Sequence, residues 1–315
     1  MTGPLLAALD LGTNNCRLLL ARSLSQGRFQ VIDSFSRITR LGEGLSSTGH
    51  LCEEAQTRTI EALTQCSELM SKRGVEKSRL VATAACRQAA NGQRFVKRVL
   101  DETGLDLEVI SSEEEVMLAM LGCRPLLDPK ARFALVFDIG GGSTEIAWID
   151  RQKHENHGII ASESLPLGVV TLSERDEAAR AQSLASMRSR LQAFELRHAM
   201  LAYLLSGDAS MLGTSGTVTT MGAIHLDLGR YERRRVDGLL LTRSDLAWVT
   251  ARLAAMSEAD RVAHPCIGPE RADLVPAGMA IFSVLDNLWP APKLGIADRG
   301  LREGLLSLMA AEASA

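Results

Sequence analysis

Two segments of the chain place an aspartate just before a turn of small residues, and each could bind an anion or a metal. The first is LLAALDLGTNNCRLLLA, which contains Asp10, and the second is ALVFDIGGGSTEIAWID, which contains Asp138 and Glu145. The glycines at 140–142 let the backbone approach a ligand and aim successive N–H groups at an oxyanion. The carboxylates of Asp10, Asp138 and Glu145 are ligands that Mg²⁺ accepts together with water and phosphate oxygens.

Other residues in and near these turns could donate hydrogen bonds to phosphate. A third turn of small residues, GTSGT at 213–217, stands before a predicted helix, whose first N–H groups favour an anion. The side-chain donors are Thr13, Asn14, Ser143, Thr144, Arg17 and Arg87. Each feature alone also fits a structural role, since an aspartate often bonds to its own turn and a single arginine is usually a surface residue. Their combination predicts a phosphate site with a divalent metal.

A run of three glutamates, in SSEEE at residues 111–115, has two interpretations. Ser112 and Glu115 have the spacing of a helix capping box, in which Glu113 and Glu114 are ordinary residues of the first turn. The other interpretation makes one of the three glutamates a general base. The two interpretations are compatible if a helix start carries the base towards the ligand.

The two aspartate segments also indicate a duplicated architecture. Each turn leads into a short run of strand-forming residues, CRLLLARS or TEIAWIDR, and this pattern predicts a β-hairpin. A Rossmann or P-loop site would need a helix after the glycine turn. Strands alternating with helices follow both hairpins, so the chain is predicted to be an α/β protein of two similar units with a ligand cleft between them.

Local patterns predict individual helices and strands. The helices are expected in EEAQTRTIEALTQCSELMSKRG, ending at Gly74, in QRFVKRVLDETG, ending at Gly104, in TVTTMGAIHLDL, and over much of residues 173–205. The strands are expected in SRLVATAAC, DLEVISS, SLPLGVVTL, ASMLGTSG and PKLGIADRG.

Composition excludes several classes of protein. The 315 residues, 46% of them hydrophobic, are typical of a soluble globular protein of about two domains. The apolar runs are shorter than the roughly 20 residues of a membrane span, and no secretory signal is evident at the N-terminus. Six dispersed cysteines favour a reducing cytoplasm over a disulfide framework.

The net charge of −3 argues against general binding to nucleic acid or to anionic membranes. The densest basic cluster, GRYERRRVDG, contains the run Arg233–Arg235. This cluster is either a solvated loop or a binding site for a polyanion.

The sequence resembles the exopolyphosphatase/guanosine-pentaphosphate phosphohydrolase (Ppx/GppA) family, in a short two-domain form. The matching segments are ALDLGTNNCRLLLA, VATAACRQAANG, LEVISSEEEVML, LVFDIGGGSTEIAW, SLPLGVVTLSER, LGTSGTVTTM, RVDGLLLT, ERADLVPAGMAIF and DRGLREGLL. They run in family order over nearly the whole chain. Asn15 and Cys16 depart from the serine and phenylalanine that are more common in the first turn.

The resemblance implies a role for each matching residue. Glu115 matches the base that activates the attacking water, and Asp138 and Glu145 match the acidic residues that organise the nucleophile and Mg²⁺ or Mn²⁺, with Asp10 as a further candidate ligand. The phosphate contacts matched by position are Thr13, Asn14, Asn15, Arg17, Arg87, Gly140, Gly141, Gly142, Ser143, Thr144, Gly213, Ser215 and Gly216.

The same resemblance implies a fold of two duplicated actin-like (ribonuclease-H-like) domains with mixed β-sheets flanked by helices, and an active site in the interdomain cleft. We expect residues 1–124 with about 300–315 in the first domain and residues 125–299 in the second. Homodimers are common among relatives, so the resemblance also allows a homodimer here.

Four functions are open from the sequence. The first is a bacterial, cytoplasmic exopolyphosphatase that releases orthophosphate from the end of inorganic polyphosphate. The second is a hydrolase of the stringent-response nucleotide guanosine pentaphosphate, for which the chemistry is the same. The third is an actin-like kinase or ATPase, and the fourth is a non-catalytic sensor of guanosine tetraphosphate or phosphate. Glu115, Asp138 and Glu145 favour hydrolysis over the last two.

Overall fold

The chain forms two compact units in the computed structural model, which describes residues 3–153 and 155–313. Unit 1 comprises Met1–Gly122 and Gly300–Ala315, and unit 2 comprises Cys123–Arg299. The C-terminal segment therefore returns to the unit in which the chain begins. No helix in the described ranges is long and apolar enough to cross a membrane.

Unit 1 is built on a five-stranded sheet. Its strands are β1 (Leu5–Leu11), β2 (Asn15–Ser23), β3 (Phe29–Ile38), β4 (Lys77–Ala82) and β5 (Glu108–Val109). Its helices are α1 (Leu45–Thr48), α2 (Glu53–Arg73), α3 (Ala84–Gln88), α4 (Gly92–Thr103), α5 (Ser112–Cys123) and α14 (Leu301–Glu312).

Unit 2 is built on a six-stranded sheet. Its strands are β6 (Phe133–Ile139), β7 (Thr144–Asp150), β8 (Ile159–Leu165), β9 (Ala209–Thr214), β10 (Leu240–Thr242) and β11 (Lys293–Ala297). Its helices are α6 (Val169–Ser173), α7 (Glu177–His198), α8 (Met200–Ser206), α9 (Ser215–His225), α10 (Arg233–Val236), α11 (Arg243–Ala255), α12 (Glu258–Ala263) and α13 (Val275–Leu288). Short 3₁₀ turns cover Arg124–Leu126 and Glu155–Gly158.

The two sheets have the same topology. The strand order is β3-β2-β1-β4-β5 in unit 1 and β8-β7-β6-β9-β11 in unit 2, where β10 is added beyond β11. In each sheet the first three strands are antiparallel, and the two later strands run parallel to the first. The predicted duplicated α/β fold with mixed sheets is therefore confirmed.

The central strand of unit 1 explains why helices cover both faces of its sheet. Alternate residues of β1 point to opposite faces. Leu9 and Leu11 pack into one apolar cluster, while Leu6 and Ala8 pack into a second cluster that contains Leu305 of α14. Asp10 follows the Leu6 and Ala8 pattern, which places it on the face covered by α14.

The parallel strands bring the candidate residues of each unit to one edge of its sheet. In unit 1, β1, β4 and β5 end before the first hairpin turn, α3 and α5. In unit 2, β6 and β9 end before the glycine turn and α9. Ligands of open α/β sheets bind at this carboxyl edge.

Most local predictions are confirmed, and four are wrong in detail. The helices ending at Gly74 and Gly104 end there, with both glycines in the left-handed conformation. The strand predicted through SRLVATAAC ends at Ala82, and the strand predicted through SLPLGVVTL ends at Leu165, because the residues that follow form the first turns of α3 and α6.

The third difference is a break in the long helix predicted over 173–205. Ala199, with a φ of 50°, separates α7 from α8. The fourth concerns the helix cap of the glutamate run. Ser111 rather than Ser112 caps α5, since the Ser111 Oγ accepts a hydrogen bond from the Glu114 N–H at 3.1 Å while Ser112 is already helical.

Candidate active site

The first hairpin turn joins β1 to β2 at residues 12–14. The Gly12 N–H donates to the Asn15 carbonyl at 2.9 Å and closes the turn. Asp10 lies directly opposite Arg17 in the antiparallel ladder. Side chains of directly opposed residues share one face of a sheet, so the carboxylate and the guanidinium are neighbours.

The carbonyls of this turn accept hydrogen bonds from the segment that follows β3. The Thr13 carbonyl accepts from the Gly42 N–H at 2.9 Å, and the Asn14 carbonyl accepts from Thr39 and Arg40 at 2.9 and 3.0 Å. In a planar trans peptide the C=O and the next N–H point in opposite directions. The N–H groups of Asn14 and Asn15 therefore point together away from this segment, as in an anion-binding nest.

Three side chains in and next to the first turn carry buried oxygens that have no hydrogen-bond partner within the described residues. These atoms are Thr13 Oγ1, Asn14 Oδ1 and Asn15 Oδ1. Buried polar groups in native proteins are nearly always paired, so each unsatisfied group requires an explanation. A ligand that bonds to the hydroxyl and, after rotation of the amides, to the Asn NH₂ groups provides one. The predicted phosphate contacts Thr13, Asn14 and Asn15 fit that explanation.

Asp10 lies among charges that the sequence argument did not connect to it. Burial raises the pKa of the Asp10 carboxyl above its usual range, and the positive charges of Arg17 and Arg302 oppose this rise only in part. The buried Glu303 carboxyl is close enough to raise the pKa of Asp10 further. Glu303 also accepts the Gly300 N–H at 2.9 Å. Arg302 and Glu303 belong to the segment GLREG. Their position beside Asp10 follows from the return of α14 to unit 1 and could not be predicted from the sequence.

Arg87 and Glu115, predicted in separate roles, form one pair. Arg87 Nη1 donates to Glu115 Oε2 at 2.9 Å and to the Ile110 carbonyl at 3.0 Å. The remaining side-chain N–H groups of Arg87 make no hydrogen bond within the described ranges and can reach an anion while Nη1 holds Glu115. The Glu115 side chain is thus held by Arg87.

The other two glutamates of the run have different surroundings. Glu114 pairs with Arg79. Glu113 is exposed, and the pKa of its carboxyl is lowered by hydrogen bonds from its own backbone N–H and from Ser111. These contacts give both side chains helix-start roles and leave Glu115 as the candidate base.

The second hairpin repeats the backbone of the first but carries different charges. The Gly140 N–H donates to the Ser143 carbonyl at 3.0 Å, as Gly12 does to Asn15. Asp138 lies directly opposite Glu145, so two carboxylates share one face. Ser164 Oγ donates to Glu145 Oε1 at 3.0 Å and fixes that carboxylate.

The glycine turn is supported by the segment after β8. The carbonyls of Gly140 and Gly141 each accept at 2.9 Å from the first N–H groups of α6, those of Val169 and Val170. By the same peptide geometry the N–H groups of Gly141 and Gly142 point away from α6. They make no hydrogen bond within the part of the chain that the structure describes, so they form a second candidate nest.

Gly168, Ser143 and Thr144 complete this support. A Cβ on Gly168 would lie 2.4 Å from the Gly141 carbonyl, which leaves room only for glycine. The Thr144 hydroxyl donates to the Leu167 carbonyl at 2.6 Å and therefore anchors the hairpin. Ser143 is buried in the turn. Gly168 lies in the family-like segment SLPLGVVTLSER, which did not indicate its supporting role, and Gly42 behind the first turn had no signal in the sequence beyond the glycine itself.

The third turn lies between β9 and α9. Gly213 is in β9, where a Cβ would lie 2.5 Å from the Phe137 ring, so this glycine serves packing. Ser215 has a φ of 79°, an unusual conformation for a residue with a side chain, and a Cβ on Gly216 would meet open space. Ser215 and Gly216 thus present the start of α9, while Gly213 lies behind it.

The donor set of the second hairpin fits a magnesium or manganese ion. In the described ranges no group of three or more histidine, cysteine, aspartate or glutamate side chains is arranged so that it could hold a metal ion. Mg²⁺ does not need such a cage, since it is usually held by one or two carboxylates plus water and substrate phosphate. Asp138 and Glu145 supply that pair. Asp10 fits less well, because Arg17 and Arg302 already provide positive charge beside it.

The arginine run 233–235 is only partly available to a ligand. Arg233 Nε donates to the Asp298 carbonyl at 2.9 Å, and Arg235 lies 3.8 Å from a Glu232 carboxylate oxygen. Arg233–Val236 forms the short helix α10, and Arg230, Arg234 and Arg235 of the cluster are exposed to solvent.

Comparisons with known proteins place this geometry in context. A model of the Ppx/GppA phosphatase family matches residues 20–313. Exopolyphosphatase 2 of Mycobacterium tuberculosis (strain ATCC 25618 / H37Rv) is 33% identical over 290 residues, which are 89% of each chain. The crystal structure of an Aquifex aeolicus member of the Ppx/GppA family is 27% identical, with a TM-score of 0.76 over 99% of each chain. An exopolyphosphatase from Cytophaga hutchinsonii, 22% identical, shares the fold with a TM-score of 0.83 over 97% of each chain.

Proposed function

The chain belongs to the Ppx/GppA phosphatase family, and on that premise we propose that it hydrolyses inorganic polyphosphate and releases the terminal orthophosphate. The enzyme is a phosphatase, as its family is. The observation that carries the proposal is the duplicated candidate anion-binding turn. In each copy the turn carbonyls accept hydrogen bonds from a later segment of the chain, and the turn N–H groups point away from that segment. The similarity to a curated exopolyphosphatase supports polyphosphate as the substrate.

The residues of unit 1 divide into a base and anion contacts. Glu115, held by Arg87 Nη1, accepts the proton of the attacking water. The free N–H groups of Arg87 and the donors of Thr13, Asn14 and Asn15 bind phosphate oxygens. Transfer of a phosphoryl group to water depends mostly on positioning and charge stabilisation, so these contacts carry much of the catalysis.

The residues of unit 2 supply the acid pair and the second turn. Asp138 and Glu145 would hold Mg²⁺, which when bound neutralises charge on the phosphoryl oxygens. Ser164 keeps the Glu145 carboxylate in place. The N–H groups of Gly141 and Gly142 bind a phosphate oxygen, and the Thr144 hydroxyl keeps the hairpin in position.

The test is orthophosphate release from long polyphosphate in the presence of Mg²⁺, with guanosine pentaphosphate and ATP as parallel substrates. The substitution Glu115→Gln should lower kcat by about 10²–10⁴-fold with little change in KM, because it removes the base and keeps the shape. Glu113→Gln is the matched control, since that side chain is exposed on the same turn of helix. Chelation of the metal should abolish release, and added Mg²⁺ should restore it.

Near-normal turnover by the Glu115→Gln variant would reject Glu115 as the base. A higher kcat/KM for guanosine pentaphosphate than for polyphosphate would replace the proposed substrate with the nucleotide. Activity that survives chelation would remove the metal from the proposal.

A further inference from the structure

A groove in unit 2 lies outside the candidate active-site residues. It has a volume of about 310 Å³ and runs between α7 and the segment Leu165–Leu167. Its polar lining residues include Arg175, Gln182, Ser186 and Arg190. Its apolar lining comes from the segment Leu165–Leu167, called the apolar wall below, and from Ala179 and Met187 of α7. None of their side chains has a role in the hydrolysis proposed above.

The positive charge of the groove is concentrated on Arg175. Within the described residues Arg175 forms no ion pair, and its side chain donates one hydrogen bond, from Nη1 to the Ser183 hydroxyl. The other side-chain N–H groups of Arg175 have no protein acceptor among those residues. Arg190 is partly neutralised, since its Nε donates to the Glu163 carboxylate at 3.0 Å. An anion in the groove would therefore bind Arg175 first, and guanidinium groups bind carboxylate and phosphate with two parallel hydrogen bonds.

The size and the mixed polar and apolar lining of the groove limit the ligand further. A volume of about 310 Å³ is at the lower end of the range for small-molecule sites. A long polyanion would leave the apolar wall in contact with charge. We propose that this groove binds a small organic anion, with a carboxylate or phosphate group on Arg175 and an apolar body against Pro166 and Met187.

The apolar wall of the groove is connected to the second hairpin. The Leu167 carbonyl accepts the hydrogen bond of the Thr144 hydroxyl, and Leu165 is the ladder partner of Thr144. Ser164 precedes this wall, holds Glu145, and has its carbonyl bonded to Arg190 at 3.2 Å. A ligand that fixes the wall would therefore act on the segment that supports the acid pair. This regulatory consequence rests on the proposed function, whereas binding itself does not.

The test is titration calorimetry of the full chain with phenyl phosphate and with benzoate, which carry the two anionic groups on the same ring. Arg175→Gln should weaken binding at least fivefold, and Ser186→Phe, which fills the groove from an exposed position, should abolish it. Arg188→Gln is the matched control, because Arg188 is an exposed arginine of α7 outside the groove. Circular dichroism of each variant checks that it is folded.

The stronger of the two probes identifies the preferred anionic group. Binding that is unchanged in both the Arg175→Gln and the Ser186→Phe variant overturns the site, and so does a wild-type chain that binds neither probe. Polyphosphate hydrolysis is measured separately without probe, so failure of the groove and failure of the proposed function give different results. With the probe bound, the KM for polyphosphate should fall about fivefold or more, the lower range of typical coupling between sites.

Discussion

The two aspartate hairpins have matching backbones and opposite electrostatics. Gly12 and Gly140 close their turns with the same hydrogen bond, and a later glycine, Gly42 or Gly168, lies behind each turn. The residue that faces the aspartate across the ladder differs, since Asp10 faces Arg17 whereas Asp138 faces Glu145. One repeat thus carries a balanced charge pair and the other carries two negative charges.

This difference assigns different chemistry to two copies of one supersecondary unit. Two carboxylates on one face repel each other unless a cation lies between them or one of them is protonated. The second hairpin is therefore the candidate metal site. In the first hairpin the arginine already provides the cation, and the unsatisfied oxygens of the turn favour direct contact with phosphate. The shared backbone supplies the anion-binding N–H groups in both.

The largest expected effect comes from giving the second hairpin the charge pattern of the first. Glu145→Arg places a cation opposite Asp138 and should lower kcat by about 10³-fold or more, because the acid pair can no longer hold a metal. Phosphate release from polyphosphate at saturating Mg²⁺ measures the change. Glu61→Arg, the same charge change at an exposed position of α2, should be neutral. Activity above one tenth of wild type would show that the acid pair is not the metal site.

The next effect compares the two supporting glycines. Gly168→Ala should lower kcat/KM by about 10²-fold, since a Cβ 2.4 Å from backbone atoms of Gly141 must displace the turn, and displacements near 1 Å can have this effect. Gly42→Ala should lower kcat/KM by a smaller factor, because its Cβ would meet the Thr13 methyl at 2.3 Å and a side chain can rotate away. Steady-state kinetics of both variants decide the order, and an equal or reversed order contradicts the explanation.

A smaller effect distinguishes the two buried threonines of the hairpins. Thr13→Val removes a hydroxyl without a partner, so it should stabilise the folded state by about 1 kcal/mol while weakening substrate binding. Thr144→Val leaves the Leu167 carbonyl without its donor and should lower the free energy of unfolding by about 1–3 kcal/mol. Denaturant unfolding measures both changes. A loss of stability in the Thr13→Val variant would show that its hydroxyl is satisfied in the free protein.

The smallest expected effect is a pH-dependent gain in stability on Asp10→Asn. Burial raises the folded-state pKa of Asp10, so its contribution to stability is favourable at low pH and is lost as pH rises through that pKa. The asparagine variant avoids this loss. Its Tm should exceed that of wild type at pH 8, by about 2–4 °C for each kcal/mol, and the difference should vanish below about pH 4. A Tm difference that is constant between these pH values would contradict a titration of Asp10.

The hairpins and the class of fold were predictable because both depend on short-range patterns. The strand runs on both sides of Asp10 and Asp138, and glycines such as Gly74 and Gly104 at helix ends, are local signals, and the structure bears them out. The strand predictions through 83–86 and 169–172 were wrong because small and β-branched residues in these runs begin α3, which packs mainly on α4, and α6, which packs on α13 and α7. Burial in the tertiary fold outweighs the local preference.

By itself the sequence determined the two aspartate hairpins, the glycine turns and the candidate acids, because these need only residues that are neighbours along the chain. The tertiary structure alone decided which charge each acid meets. Arg87 holds Glu115 across 28 residues, Arg302 returns on α14 to lie beside Asp10, and Gly42 and Gly168 come from the segments behind the turns. Such contacts depend on the register of the sheets and the path of distant helices. No spacing within a short motif encodes them.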